Sequence, residues 1–184
     1  MAGQLKDIHA CFEEALRIAG FSEHGPVLIR PAQITMMVAL LDATESGSYT
    51  YRIPNSSVFL IKEMRGHLSF NNWNGEVAVA AGLSTNATPK ERAYLKALNA
   101  KIRLENVDRS QKITDENDLC LADILGCLGA APIRWDELGP GFVVPSGQQL
   151  KMTATLSDST AANTGASSDY GIVLSGVMLE VLGS

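Results

Sequence analysis

The amino-acid sequence predicts a mainly β protein, folded as a two-sheet antiparallel sandwich with an N-terminal helix and one or two short inserted helices. Three observations predict this class. Several segments alternate apolar and polar residues with the period of two that is typical of a strand with one buried face. Turns rich in proline, glycine, asparagine and serine separate these segments. Helical segments do not alternate regularly with the strands, which argues against a parallel α/β fold.

An amphipathic helix is predicted over residues 1–20. Its apolar side chains recur at helical spacing, at Leu5, Ile8, Phe12, Ala15, Leu16 and Ala19. Gly20 is a suitable stop signal at its end. The apolar side of this helix can pack on its own domain, which is the commoner case, or dock on a neighbouring subunit. The sequence does not decide between the two.

The first strands are predicted after a break around residues 24–26. Residues 27–29 and 34–41 are strongly apolar, with Pro31 between them. Because proline cannot donate to a sheet ladder, Pro31 predicts an edge strand or a bend and not an unbroken central strand. Residues 48–53 then alternate with a period of two, which predicts a second strand with one buried face.

A long strand is predicted over residues 58–70. Its even positions are mostly apolar and are expected to share one face, namely Val58, Leu60, Met64, Leu68 and Phe70. Lys62 interrupts this apolar face, and the sequence offers no explanation for it. Gly66, in the middle of the strand, indicates a bulge or the close approach of another backbone.

Two short helices are predicted between later strands. Thr88, Pro89 and Glu91 fit the N-cap, N1 and N3 positions of a capping box, which places one helix near 88–98. A second helix is predicted near 118–128, where the apolar residues fall on one side.

The C-terminal third carries the clearest strand signals. Residues 149–156 alternate polar and apolar without exception, and a polar loop is expected over 157–169. Residues 172–182 form a closing strand with two apolar faces, which requires a cover on both sides. The outer cover is either a helix of this chain or another subunit. No linker or repeat divides the chain, so we expect a single domain over 1–184 with the sandwich at 27–182.

Charge and composition argue against several functional classes. The 184 residues include 20 acidic and 15 basic ones, and the net charge of −5 argues against direct, sequence-independent nucleic-acid binding. No signal peptide and no apolar stretch of about 20 residues is visible, so synthesis in the cytoplasm and no membrane partner are expected. Cys11, Cys120 and Cys127 lack a metal-binding spacing and fit reduced thiols.

The sequence contains no recognisable catalytic, cofactor-binding or metal-binding motif. Catalytic residues, cofactors and metals are all predicted to be none, and the protein is expected not to be an enzyme. His9, His24 and His67 form no metal-binding pair. Four acidic residues between 115 and 123 lack the EF-hand order and fit better as acids at a helix N-terminus. A hydrolase whose site forms only in three dimensions remains an alternative.

A second functional hypothesis rests on aromatic residues. Trp73 lies in a turn of asparagines and glycine and is a weak ligand candidate. Together with Tyr49 and Tyr51 it could stack on a sugar, as in a carbohydrate-binding β-sandwich module. A tryptophan folded back over the core is the alternative reading, and aromatic residues make up only 6 % of the chain.

Two stretches resemble jelly-roll structural proteins of tailed-bacteriophage virions. Residues 142–156 (FVVPSGQQLKMTATL), a polar loop and residues 170–179 (YGIVLSGVML) are similar to the closing strand pair of such proteins. Residues 51–54 followed by residues 57–70 are similar in rhythm to an earlier part of the same kind of protein.

This resemblance implies a jelly-roll-like sandwich and a non-enzymatic virion protein of the head decoration (cement) or minor capsid type. Such a protein is made in the host cytoplasm, resides in the virion, self-associates as a homo-oligomer, and binds the major capsid protein or another virion protein. The alternative location is cytoplasmic. The expected interface residues lie on the N-terminal helix and on one face of the last strand, namely Leu5, Ile8, Phe12, Val173, Val177, Leu179 and Val181.

Overall fold

Strands make up most of the computed structural model, as the period of two in the sequence requires. Two helices, α1 (Ala2–Ile18) and α2 (Leu121–Ile124), accompany ten strands in the described part of the chain. The strands are β1 (Val27–Leu41), β2 (Ser46–Arg52), β3 (Ser57–Phe70), β4 (Lys101–Asn106), β5 (Gln111–Lys112), β6 (Leu119–Cys120), β7 (Ile133–Arg134), β8 (Phe142–Val144), β9 (Gln149–Thr155) and β10 (Ser167–Val181). The structure describes residues 2–21, 25–41, 46–70, 100–114, 118–125, 132–135, 141–156 and 167–182.

The strands form two antiparallel five-stranded sheets. Sheet 1 has the order β1-β10-β3-β7, and β8 pairs with β3 beside β7. Sheet 2 has the order β2-β9-β4-β5, and β6 also pairs with β4. The main pairs are nested along the chain: β1 with β10, β2 with β9, β3 with β8, and β4 with β5.

This nesting means that one long antiparallel ribbon is folded over itself, with successive pairs placed alternately in sheet 1 and sheet 2. That is the jelly-roll type of strand order. The predicted class, a mainly β two-sheet antiparallel sandwich of jelly-roll-like type, is therefore confirmed.

The inner faces of the two sheets enclose the main core. In β9 the predicted alternation is complete, because Leu150, Met152 and Ala154 are fully buried and the residues between them are half-buried. Phe59 contributes the largest fully buried side chain from sheet 1. Burial of these inward residues is the dominant stabilising term of a sandwich.

Strand β1 runs unbroken through Pro31 at one edge of sheet 1, so the edge interpretation of this proline is confirmed. The Leu182 N–H donates to the Pro26 carbonyl at 2.9 Å, in register with the β1–β10 ladder. The even-numbered residues of β1 therefore direct their backbone groups toward β10, and the odd-numbered ones direct theirs away. The missing N–H of Pro31 thus costs no hydrogen bond within the sheet.

Strand β3 contains a β-bulge at Lys62. Opposite it on β10, Ser175 pairs with Glu63 and Gly176 pairs with Ile61, which leaves Lys62 as the extra residue. The Lys62 carbonyl accepts a hydrogen bond of 2.8 Å from a backbone N–H beyond β7. Lys62, which interrupts the apolar pattern, is therefore the residue at which the inward-facing and outward-facing positions of the strand are exchanged.

The bulge overturns one sequence prediction. Before it, Val58 and Leu60 point to the outer face of sheet 1, and after it Met64 and Leu68 point into the core between the sheets. The even positions of residues 58–70 therefore do not share one face. An extra residue in a strand reverses the parity of every position that follows.

The glycine predicted to mark a close approach does so. A Cβ on Gly66 would lie 3.0 Å from the Leu121 side chain and 3.1 Å from the Ile124 backbone, because α2 packs on this point of β3. The helix predicted near 118–128 is shorter than expected, since Leu119–Cys120 pair with β4 as β6 and the described helix covers Leu121–Ile124.

Two further expectations concern the segments beside β10 and before β4. Residues 167–169, predicted as part of a loop, belong to β10, because pairing with both β1 and β3 extends to this end of the strand. The helix predicted near 88–98 lies outside the described residues.

Candidate interaction surface

Helix α1 covers one half of the outer face of sheet 1. Ala15 and Leu16 are 0 % and 2 % exposed, and they lie in a second apolar cluster on that face. The buried members of this α1 cluster are Ala15, Leu16, Val58, Leu60, Leu179 and Val181. The chain's own helix therefore supplies the outer cover for the end of the last strand that carries Leu179 and Val181.

The end of α1 fixes where the helix meets the sheet. The Phe21 N–H donates to the Leu16 carbonyl at 2.9 Å, and the Gly20 N–H donates to the Arg17 carbonyl at 3.1 Å. Gly20 has a φ of +92°, so these bonds form a Schellman motif with glycine in the left-handed position. Phe21 packs against the α1 cluster, and Gly20 ends the helix as the sequence predicts.

The predicted interface residues fall into four groups. Phe12 and Val177 are half-buried at the border of the α1 cluster, while Leu179 and Val181 are buried within it. The side chains of Leu5 and Ile8 lie outside the described part of α1. Val173 is half-buried on the outer face of β10, away from the buried α1 cluster. Leu179 and Val181 thus contact this chain and offer no exposed surface.

The other half of the outer face of sheet 1 is exposed along β1. Gln33, Thr35, Met37 and Ala39 are all exposed there, and Thr35 lies beside Val173 in the ladder. Leu28 and Ile29 are also exposed, at 47 % and 48 %, but they lie at the other end of β1, where it pairs with Glu180 and Leu179. From residue 32 onward, the exposed outer surface of β1 therefore carries no charged side chain.

A charged group borders this exposed surface. Glu63 accepts a hydrogen bond from Arg65 on the same strand and another, of 3.2 Å, from Arg134 on β7. The hydrogen bond from Arg65, with added attraction from Arg134, holds the pKa of Glu63 below its ordinary value of 4.5. The Glu63 side chain is only 15 % exposed, whereas both arginines reach solvent.

The lowered pKa of Glu63 predicts a pH dependence of stability. A carboxyl group with a lower pKa in the folded state stabilises that state above its unfolded pKa, and this stabilisation disappears as the pH falls through the folded value. Between about pH 6 and about pH 3, wild type should lose up to about 1 kcal/mol more unfolding free energy than Glu63→Gln. Urea unfolding at each pH measures this difference. An equal loss in the two proteins would show that the arginines do not stabilise the ionised carboxylate.

The outer face of sheet 2 is polar. Arg103 forms a two-point ion pair with Asp118, at 2.7 and 3.1 Å, and Lys151 lies 3.6 Å from Glu105 on the neighbouring strand. Asp118 was expected to stabilise a helix N-terminus, but β6 separates it from α2, and its partner is Arg103. These paired charges leave sheet 2 with a solvated outer surface.

Hydrogen bonds join the turns at one end of the sandwich. The Asn106 amide donates to Gln148 Oε1 at 2.6 Å, and the Gln149 N–H donates to Asp108 Oδ2 at 2.6 Å. Asn106 Oδ1 is buried and has no hydrogen-bond partner in the described part of the chain. The group contains one carboxylate and no nucleophile or histidine, so it fixes loops and offers no reaction chemistry.

A shallow groove of about 400 Å³ lies beside the β1 edge, lined by Pro31, Ala32, Gln33, Ser175 and Gly176. Its polar side chains are one amide and one hydroxyl, and it holds no titratable group. At Gly176 the β10 backbone approaches β3 so closely that a Cβ would collide with the Leu60 carbonyl oxygen.

The residues considered for metal or acid–base chemistry are scattered. His67 is half-buried on β3, whereas the side chain of His9 and the whole of His24 lie outside the described part of the chain. Cys11 is half-buried on α1 and Cys120 is half-buried on β6. Among the described residues, no three histidines, cysteines or carboxylates come together as a metal site.

Two of the three aromatic residues considered for sugar binding lie in the described part of the chain. Tyr49 is 41 % exposed on edge strand β2, and Tyr51 is half-buried against the main core. Trp73 lies outside the described residues. The groove beside the β1 edge is lined by β1 and β10 and contains neither tyrosine.

Sequence reasoning predicted β1 as an edge strand but did not include it in the candidate interface. The predicted interface used the apolar positions of α1 and β10, and four of the five with described side chains lie in the α1 cluster or pack against it. The available signal was the combination of Pro31, which indicates an edge, with a following run of ten residues, 32–41, that contains no charged residue.

A scan against protein-family models gives no matching family, and a search of curated proteins gives no match. Within the described ranges, neither helix is long and apolar enough to span a bilayer.

Proposed function

We propose that this chain is a non-enzymatic virion structural or assembly protein, of the capsid decoration or minor capsid type, which self-associates and binds a capsid lattice. The observation that carries the proposal is the nested strand order of the sandwich, with β1–β10 and β3–β8 in one sheet and β2–β9 and β4–β5 in the other. Viral capsid domains are among the main users of this order.

The surfaces of the sandwich support the same function. One sheet carries an exposed, largely uncharged strand edge, and the other carries paired charges that favour solvent. Depletion of charge is typical of the centre of an interface, so the uncharged stretch of the β1 edge suits a protein that works by association. The proposed location is the virion, and the proposed partners are a second copy of this chain and the major capsid protein.

Gradient co-sedimentation tests the proposal. The purified chain is mixed with purified capsids of a virus whose genome encodes it, and an unrelated β-sandwich of similar mass and charge serves as the control. The chain should sediment with the capsids in a saturable ratio, while the control stays at the top of the gradient. A chain that stays at the top with the control would contradict the proposal.

A carbohydrate-binding module is the second candidate, and the exposed Tyr49 favours it. Exposed aromatic rings stack on sugars, and lectin domains also use the jelly-roll order. A glycan array with wild type, Tyr49→Ala and Trp73→Ala distinguishes the candidates. Binding that either substitution abolishes would support the module, and the absence of glycan binding would remove it.

A further inference from the structure

The edge of β1 is longer than every other described sheet edge. The other strands at the edges of the two sheets are short: β2 has seven residues, β8 three, and β5, β6 and β7 two each. Short edges are one of the common protections against unwanted pairing. β1 has 15 residues, and its only charged residue and only proline, Arg30 and Pro31, lie toward one end.

The rest of this edge offers backbone groups for pairing. Since the odd-numbered residues of β1 direct their backbone groups away from β10, the N–H and C=O groups of Gln33, Thr35, Met37 and Ala39 point outward. Their side chains are exposed as well. Among the described residues, β1 pairs with β10 alone.

We propose that this edge pairs with the same edge of a second copy of the chain, antiparallel and across a two-fold axis. This inference rests on the self-association in the proposed function and names the surface that provides it. It joins sheet 1 of each copy into one continuous sheet of ten strands. α1 lies on the same side of that sheet in both copies, over the end that carries residues 58–60 and 177–181.

The second copy is the occupant that the residues favour. In an antiparallel pair, a residue whose backbone groups point outward must lie opposite another such residue. In β1 these are the odd-numbered residues, so the two-fold axis passes through a residue position and not midway between two neighbouring residues. Centred on Met36, the pairing places Thr35 opposite Met37 and Gln33 opposite Ala39 of the second copy. Residues 32–40 then pair with no charge on either side, and Arg30 and Pro31 lie outside the paired stretch. No other described edge of the chain has the length to match β1.

Amide exchange followed by NMR tests the pairing on the unmodified chain. At high protein concentration, the amides of Gln33, Thr35, Met37 and Ala39 should become protected, and dilution should remove that protection. The amides of Ile34, Met36 and Val38 point to β10 and should stay protected at all concentrations. A dimer whose odd-numbered β1 amides exchange as fast as in the monomer would place the interface elsewhere and overturn the inference.

A charge at the centre of the edge provides the second test, by sedimentation velocity. Thr35→Lys should raise the dimer dissociation constant at least about tenfold, because like charges meet near the axis. Ser48→Lys adds the same charge to an exposed position of β2, and the dissociation constant should stay within about twofold of wild type. Equal weakening by both variants, or none by Thr35→Lys, would overturn the inference, as would a wild type that remains monomeric.

The two proposals fail separately. A chain that co-sediments with capsids but shows no concentration-dependent protection of β1 retains the proposed function and loses the edge pairing. A chain that dimerises through β1 but ignores capsids retains the edge pairing and loses the capsid function.

Discussion

Phe59→Ala should lower the free energy of unfolding by about 3–5 kcal/mol. Phe59 is fully buried between the two sheets, and the close packing around it leaves a cavity when the ring is removed. Because a domain of this kind is stabilised by only about 5–15 kcal/mol in total, this single change removes a large part of the stability. Urea unfolding followed by circular dichroism measures the effect.

Tyr49→Ala is the matched control for this substitution. It removes an aromatic ring that is 41 % exposed on an edge strand, and surface changes of this kind usually stay within about 1 kcal/mol. If Phe59→Ala is no more destabilising than Tyr49→Ala, the core does not lie between the sheets where the structure places it.

Leu16→Ala should lower the free energy of unfolding by about 2–5 kcal/mol, because Leu16 is buried under α1 against sheet 1. Leu60 lies in the same cluster, so the Leu16→Ala and Leu60→Ala effects should be non-additive by about 0.5–3 kcal/mol in a double-mutant cycle. Phe59 faces the opposite side of β3, and its effect should add to that of Leu16 within about 0.5 kcal/mol.

Ile18→Ala controls for a general weakening of the helix, since Ile18 is 40 % exposed near the end of α1. Its effect should be well below that of Leu16→Ala. An equal effect, or strict additivity between Leu16 and Leu60, would mean that α1 does not pack on the outer face of sheet 1 as described.

Strand periodicity could be predicted from the sequence wherever a strand is regular. The alternation of Leu150, Met152 and Ala154 and the two apolar faces of β10 both follow directly from the pleat, and the structure confirms them. The same reasoning failed in β3, because a bulge at Lys62 shifts the parity of the residues after it. A bulge depends on the register with a partner strand, which sequence periodicity does not contain.

The sequence also did not predict which element covers the outer face of β10. The sequence predicted an amphipathic helix at residues 1–20 and a last strand with two apolar faces. It did not show whether the helix and the strand pack on each other or on separate partners. Leu16 and Leu179 meet within one chain, which moves the candidate interface from these residues to the edge of β1. Pro31 predicted that edge correctly. Proline has no backbone N–H, and this costs no hydrogen bond only on the side of a strand where no neighbouring strand of the sheet pairs with it.

Light scattering during size-exclusion chromatography of the full chain tests most directly whether this sandwich works by association. A dimer joined along β1 has twice the chain mass of 19.7 kDa, and its share should grow with concentration. A mass of 19.7 kDa at every concentration would contradict the account.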